Sequence, residues 1–220
     1  MAHGYINGKA PRRIDDIPIS WVFVDLEGVL ANLATAIFEH LDRPSLIAEP
    51  WPAGATIEDR LGVTKKYMFD LLIRDSALIW KKVKPYPWAR NLLTNLRAPR
   101  VIVTGGRWGI GAITDKWKWC ERHVNGKFSD LVVIQHRHLL AGREALLIDD
   151  HAGHTERFKS CGGHSLLFPQ PWNAVDDTSS EPDTVLDGVM GQIRCRYLCA
   201  AVPETQARDT QYGQFASEFT

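Results

Sequence analysis

Several chemically capable residues stand where apolar runs stop. Trp21-Val22-Phe23-Val24 ends on Asp25, Val101-Ile102-Val103 ends on Thr104, and Leu146-Leu147-Ile148 ends on Asp149-Asp150. Short apolar runs of this kind read as buried parallel strands, and in open α/β sheets ligands bind beyond the carboxyl ends of the strands. A carboxylate there can attack an electrophile or hold a cation. Two adjacent carboxylates repel each other unless a cation or hydrogen bonds offset the charge. A threonine followed by Gly105-Gly106 offers a hydroxyl and backbone N–H groups to the oxygens of a phosphate. Each feature has a plainer reading taken alone: Asp25 as a cap of the next turn, Thr104 as a helix cap, the acid pair as a solvated turn. Their recurrence at three strand ends favours chemistry.

The elements that must carry these residues follow from periodicity. After the strand at 21–25 and the turn at Gly28, Leu30, Leu33, Ala34, Ile37, Phe38 and Leu41 recur at helical spacing up to Pro44. Residues 43–62 are rich in Pro, Gly and Ala and read as loop with one short helix, and 65–80 returns to a helical pattern. Beyond Pro99 strands (101–104, 131–134, 145–149, 164–168) alternate with helices (113–123, 153–161), which implies βαβ units. The expected fold is α/β: a Rossmann-like parallel sheet with helices on both faces and a small helical cap at about 31–84. Residues 1–18 read as a leader, 19–173 as the catalytic domain, and 174–220 as an appended tail with a helix near 183–198.

Composition narrows the function classes. Twenty-six basic residues balance 26 acidic ones, so no global field points to a nucleic-acid polymer or a membrane surface. No signal peptide or membrane-length apolar run is visible, and a reducing cytoplasm is the expected compartment. Cys120, Cys161, Cys195 and Cys199 lack zinc-site spacing, and Cys195 and Cys199 read as packing on one helix face. His136, His138, His151 and His154 are closely spaced in pairs and could suggest a zinc site, but His151 and His154 follow the acids and read as lining a cleft mouth. Gly105-Gly106-Arg107-Trp108-Gly109 lacks the ending of a P-loop. In Lys116-Trp117-Lys118-Trp119, Trp117 lies at helical spacing from Ile113, giving a core tryptophan and solvated lysines.

The string Val-Phe-Val-Asp25-Leu-Glu27-Gly28-Val-Leu resembles the first motif of haloacid dehalogenase phosphatases, an apolar run followed by Asp-x-Asp-Gly. Thr104-Gly105 resembles the second motif, and Leu147-Ile148-Asp149-Asp150 the fourth. Pro85-Tyr86-Pro87 and the stretch from Gly162 to Asn173 are similar to the 5′(3′)-deoxyribonucleotidase-like branch, including its bacterial and phage relatives. The resemblance covers about residues 20–173.

That resemblance implies a Mg²⁺-dependent phosphomonoester hydrolase acting on (deoxy)nucleoside monophosphates through an aspartyl-phosphate. Asp25 would be the nucleophile and Glu27 the acid and base. Asp25, Glu27 (by its backbone carbonyl), Asp149 and Asp150 would bind Mg²⁺. Thr104, Gly105 and Arg137 would hold phosphate oxygens. In the cap region Phe38 and Trp80, with Trp51 and Phe69, could stack on a base or simply pack. Two positions depart from the family pattern: Glu27 stands in place of an aspartate, and Arg137, with Arg143 as a second candidate, in place of a lysine. Both are catalytic positions, so the rival reading is a weakened relative that binds nucleotide or phosphate ligands in a regulatory role. Base, sugar and oligomeric state are not fixed by the sequence.

Overall fold

A computed structural model describes residues 17–52, 54–106, 109–173 and 182–199. Strand β1 (Ile17–Ile19) leads into β2 (Trp21–Asp25). A helical insertion follows: β3 (Ala31–Asn32), α1 (Leu33–His40), α2 (Ser45–Ala48), α3 (Ile57–Leu61), α4 (Lys65–Arg74), α5 (Ser76–Lys82) and β4 (Lys84–Pro85). Then come α6 (Ala89–Asn95), β5 (Arg100–Thr104), α7 (Gly109–Val124), β6 (Asp130–Val133) and a 3-10 turn at Arg137–Leu140. The chain continues through β7 (Ala145–Asp149), α8 (Ala152–Ser160), β8 (His164–Leu167), a 3-10 turn at Pro171–Asn173, α9 (Pro182–Arg196) and β9 (Tyr197–Cys199).

Five strands form one parallel sheet in the order β6-β5-β2-β7-β8. From β2 the chain builds outward on one side (β5, β6) and then returns to build on the other (β7, β8), so the topological switch falls at the end of β2. Val24 pairs with both Ile102 and Ile148, which sets Asp25, Thr104 and Asp149 along one edge.

The pleat sorts the apolar runs into two cores. Val22, Val24, Ile102, Leu146 and Ile148 face one cluster with Trp119 and Cys120 of α7, Leu92 and Leu93 of α6, and residues of the insertion. Phe23, Val101, Val103, Ala145 and Leu147 face the other, with Phe158 of α8. Helices therefore cover both faces, as the alternation implied.

The insertion departs from its expected outline in two places. Residues 43–62 hold two short helices rather than one, α2 and α3, and neither buries a residue. Thr56 and Asp59 cap α3 reciprocally, and Gly62 ends it at φ +66°. The helix expected over 65–80 is broken at Asp75, whose carboxylate takes hydrogen bonds from Arg74 Nε (2.8 Å) and pairs with His40 Nε2 (2.9 Å). That side chain ties α1 to the joint between α4 and α5. Entry and exit of the insertion are held together where β3 pairs with β4 antiparallel.

The segment read as an appended tail is built into the molecule over 182–199. Val185, Leu186, Val189, Met190 and Ile193 of α9 are buried in the same cluster as β2 and β7. Strand β9 then pairs in parallel with β1, Ile17 opposite Tyr197 and Ile19 opposite Cys199. The polar residues of this stretch masked an apolar stripe at i, i+1, i+4, i+5 and i+8. Cys195 and Cys199, expected on one helix face, are divided between α9 and β9. Residues 1–16 and 200–220, and with them most of the expected leader and the polar end, lie outside the described residues. Among the described residues no helix is long and apolar enough to cross a membrane.

Candidate active site

The strand edge carries an acidic cluster. One carboxylate oxygen from each of Asp25, Asp149 and Asp150 lies within 4.8 Å of the others. Asp25 is 3% exposed and Asp149 fully buried. Burial first, and then the charge of Asp149, hold the Asp25 carboxyl well above the usual carboxylate range, although Arg137 pulls it down. The same two causes push Asp150 up to about 7. A cluster that resists ionisation in this way is short of positive charge.

Arg137 supplies part of that charge. It sits in the 3-10 turn after β6, buried at 5% exposure, and its Nε donates to Asp25 Oδ1 (3.0 Å) and lies 2.9 Å from Asp149 Oδ2. A second guanidinium nitrogen, Nη2, also donates to Asp25. Burial alone would lower the Arg137 pKa, but Asp25 and Asp149 more than reverse this and raise it. The planar fork lets one side chain clasp two acids at once. Asp149 is held further by the His151 N–H (2.8 Å) and by His154 Nδ1 (3.0 Å). The histidines thus belong to the surroundings of an acid, and none joins the metal-capable group among the described residues.

The turn after β2 depends on Gly28. Its φ is +87°, and a Cβ there would lie 2.2 Å from Asp150 Oδ2. Gln170 donates to the Gly28 carbonyl, Trp172 Nε1 donates to Asp150 Oδ2 (2.6 Å), and Asn173 Nδ2 donates to the Asp150 carbonyl (2.9 Å). The 3-10 turn at Pro171–Asn173 therefore fastens the acid that Gly28 makes room for.

Glu27 points away from the other three acids. The Thr104 hydroxyl donates to its Oε2 at 2.8 Å, and Lys116 Nζ lies 2.7 Å from its Oε1. Lys116, from α7, also donates to Thr104 Oγ1 (2.8 Å) and to the Gly105 carbonyl (2.7 Å). Here the sequence reading of α7 is inverted: Lys116 is 1% exposed and Trp119 fully buried, while Trp117 is 44% exposed. The stripe Ala112, Lys116, Trp119, Cys120 and Val124 carries the buried face, with one lysine inside an otherwise apolar row. Trp117 instead meets Phe128 edge-on at the surface.

A cavity of about 560 Å³ opens beside the cluster. Glu27, Gly28 and Asp150 lie at one end; Leu33, Ile57, Tyr86 and Trp172 are among the residues lining the rest. Phe38 and Trp80 do not line it. Both are 1% exposed, Phe38 packing on Trp51 and Trp80 on Trp119. Aromatic size told nothing about which way these rings face. The rings that do reach the cavity, Tyr86 and Trp172, stand in the two Pro-flanked segments, Pro85-Tyr86-Pro87 and Gln170-Pro171-Trp172, which fix them near the strand edge. Arg107 and Trp108 lie outside the described residues.

Counting charges at the strand edge, four carboxylates (Asp25, Glu27, Asp149, Asp150) face two buried cations, Arg137 and Lys116. With all four ionised, two charges would stay uncompensated, which suits a divalent cation, and a donor set made only of oxygens suits a hard one.

Similarity to known proteins runs along the same span. The family described as 5′ nucleotidase, deoxy (pyrimidine), cytosolic type C matches residues 18–180. Among solved structures, a predicted phosphatase from Clostridium acetobutylicum superposes with a TM-score of 0.52 at 13% identity, covering 79% of this chain and 99% of that one. A haloacid dehalogenase-like hydrolase from Streptococcus pneumoniae gives 0.50 at 16% identity, covering 78% and 98%. At these identities the likeness is one of fold. No curated protein matches the chain. With three strand-end motifs on one edge and the family match running through all of them, the chain belongs to the 5′-nucleotidase family of haloacid dehalogenase-like phosphomonoester hydrolases.

Proposed function

We propose that the chain hydrolyses nucleoside 5′-monophosphates with Mg²⁺ by way of an aspartyl-phosphate. The observation that carries this reading is Asp25, clasped by Arg137 beside Asp149, in one acidic cluster with Asp150, which lines a largely apolar cavity of nucleoside size.

Asp25, Asp149 and Asp150 would hold the ion, which when bound screens the nucleophile from the anionic phosphate. Asp25 attacks phosphorus, forming a P–O bond as the ester oxygen leaves, and Glu27 donates the proton that oxygen needs. Water then attacks the aspartyl-phosphate while Glu27 takes its proton, releasing inorganic phosphate and restoring the Asp25 carboxylate. Arg137 and the Thr104 hydroxyl hold phosphoryl oxygens as charge builds. The cavity walls, with Tyr86 and Trp172 presenting aromatic surface, receive the nucleoside.

Phosphate release from a panel of nucleoside 5′-monophosphates and sugar phosphates tests this, with Mg²⁺ and with EDTA. Turnover favouring nucleotides and lost on chelation is the expected result. Turnover that survives exhaustive chelation removes the metal role, and sugar phosphates outrunning every nucleotide removes the substrate class.

A further inference from the structure

We infer that Lys116 is a positioning residue for catalysis, and that Glu27 and Lys116 form a matched pair in which the lysine sets the place of a carboxylate one methylene longer than the family's aspartate. The inference rests on the proposed role of Glu27.

A glutamate on the Asp25-x-x turn can swing its carboxylate by roughly 1.5 Å relative to an aspartate, enough to misplace an acid or base by a kinetically costly distance. In this chain it does not swing freely. Its Oε1 lies 2.7 Å from Lys116 Nζ and its Oε2 accepts from the Thr104 hydroxyl at 2.8 Å. The lysine is equally constrained. Its three N–H groups meet three acceptors: Glu27 Oε1, Thr104 Oγ1 at 2.8 Å and the Gly105 carbonyl at 2.7 Å. Its ammonium lies 6.0 Å from the centre of the Trp80 ring, and the side chain is 1% exposed.

Nothing about packing calls for a charge here. The neighbours of Lys116 in the α7 stripe are Ala112, Trp119, Cys120 and Val124, and a methionine would continue that row. A buried ammonium is costly unless its partners are fixed. Of these acceptors, Glu27 and Thr104 are residues expected to act on the leaving group and on the phosphate. By donating to Thr104 Oγ1, Lys116 occupies an acceptor side of the hydroxyl and leaves its proton directed towards Glu27 and the cleft. Arg137 pairs with Asp25 and Asp149 and Lys116 with Glu27, so the two cations divide these three carboxylates between them. Shortening Glu27 would break the contact with Lys116, and removing Lys116 would release Glu27.

The test is a double-mutant cycle of wild type, K116M, E27D and K116M/E27D, with K116R alongside. Turnover and KM are measured on the best phosphomonoester of the panel. K116M is expected to lower kcat about tenfold or more while KM moves less than about threefold. E27D should cost a similar factor in the wild-type background but less than about threefold once Lys116 is gone, and K116R should recover part of kcat. Single effects that simply multiply, or an unchanged kcat in K116M, overturn the pairing. Calorimetric binding of orthovanadate with Mg²⁺ is measured on the same proteins. If wild type shows no turnover on any ester, the hydrolytic reading fails by itself, and coupling or its absence in vanadate binding still decides the pair. Circular dichroism checks each fold, and K116Q replaces K116M in the cycle if the methionine variant is unfolded.

Discussion

The floor of the cleft and its overhang are built by different means. The floor is the strand edge, where register fixes Asp25 against Val103 and places Asp149 on the neighbouring strand. Its polar groups are buried and multiply bonded to Arg137, Lys116, Trp172 and backbone N–H groups. The overhang is the stretch through α2 and α3, which contributes Gly54, Thr56, Ile57 and Glu58 to the cavity yet buries no residue in either helix. It is held by local devices: the Thr56–Asp59 capping box, and Arg60, which donates to the Leu46 and Pro50 carbonyls and lies over the Trp51 ring. Trp51 in turn packs on Trp172, the ring bonded to Asp150. A buried, over-determined floor suits chemistry that fails with small displacements. A lightly anchored overhang can change its lining without disturbing that chemistry, so substrate choice belongs there.

The sharpest break of the floor is Asp25→Asn. The amide cannot attack phosphorus, and turnover should fall by about 10³-fold or more, with the melting temperature held or raised because one buried acid is gone. Retention of more than a few per cent of the rate would remove Asp25 as the nucleophile.

Removing residues 182–220 tests how far the floor depends on the layer behind it. Five buried α9 side chains would lose their place, each worth roughly 1.5–3 kcal/mol, against a whole-domain stability of about 5–15 kcal/mol. Thermal and urea unfolding should show a severely destabilised or unfolded protein. A truncated chain with an unchanged midpoint would mean that α9 adds nothing to the core.

Gly28→Ala probes the floor more gently. Positive φ and a clash with the Asp150 carboxylate combine to cost about 1–3 kcal/mol, and activity should fall further than stability because Asp150 is the group displaced. Comparing kcat with the unfolding midpoint separates the two losses. Equal, small changes in both would show that Asp150 has room to move.

Arg60→Ala addresses the overhang. Loss of its two carbonyl contacts and its stacking on Trp51 should raise KM by about three- to tenfold while kcat stays within about twofold. A kcat collapse would erase the division of labour between floor and overhang.

The floor was largely legible in the sequence because it is written in short, regular signals. Apolar runs ending in Asp25, Thr104 and Asp149 have the period and punctuation of parallel strands, and the edge assembles wherever such strands align. What could not be read was which way a side chain on a helix faces. In the sequence Lys116 reads as solvated because two offset stripes compete in α7, one through Ile113 and Trp117 and one through Ala112, Lys116 and Trp119. Both stripes reach Cys120 and Val124 at helical spacing, so spacing does not choose between them; it is the face of Ala112, Lys116 and Trp119 that is buried. Phe38 and Trp80 failed as cavity residues for a related reason: the insertion helices pack on the core, and large rings go where volume must be filled. For Tyr86, between two prolines, and Trp172, after one, nothing local marks the ring as facing a cavity.

Pairing of β1 with β9 has a consequence for the order in which the molecule can be completed. Ile17–Ile19 is made early but waits about 180 residues for Tyr197–Cys199. At about 5–20 residues per second, that is on the order of ten to forty seconds of synthesis during which the first strand has no partner. Strand β2, which ends on Asp25, is next to it in sequence and also waits, for β5 and then for β7. Such long-range closure slows folding and leaves apolar strand edges open in the nascent chain. Closure of this pair is thus the last pairing of the described strands: a chain arrested before β9 would already possess every acid of the strand edge, yet its first strand would still lack the parallel partner that joins the two ends of the described fold.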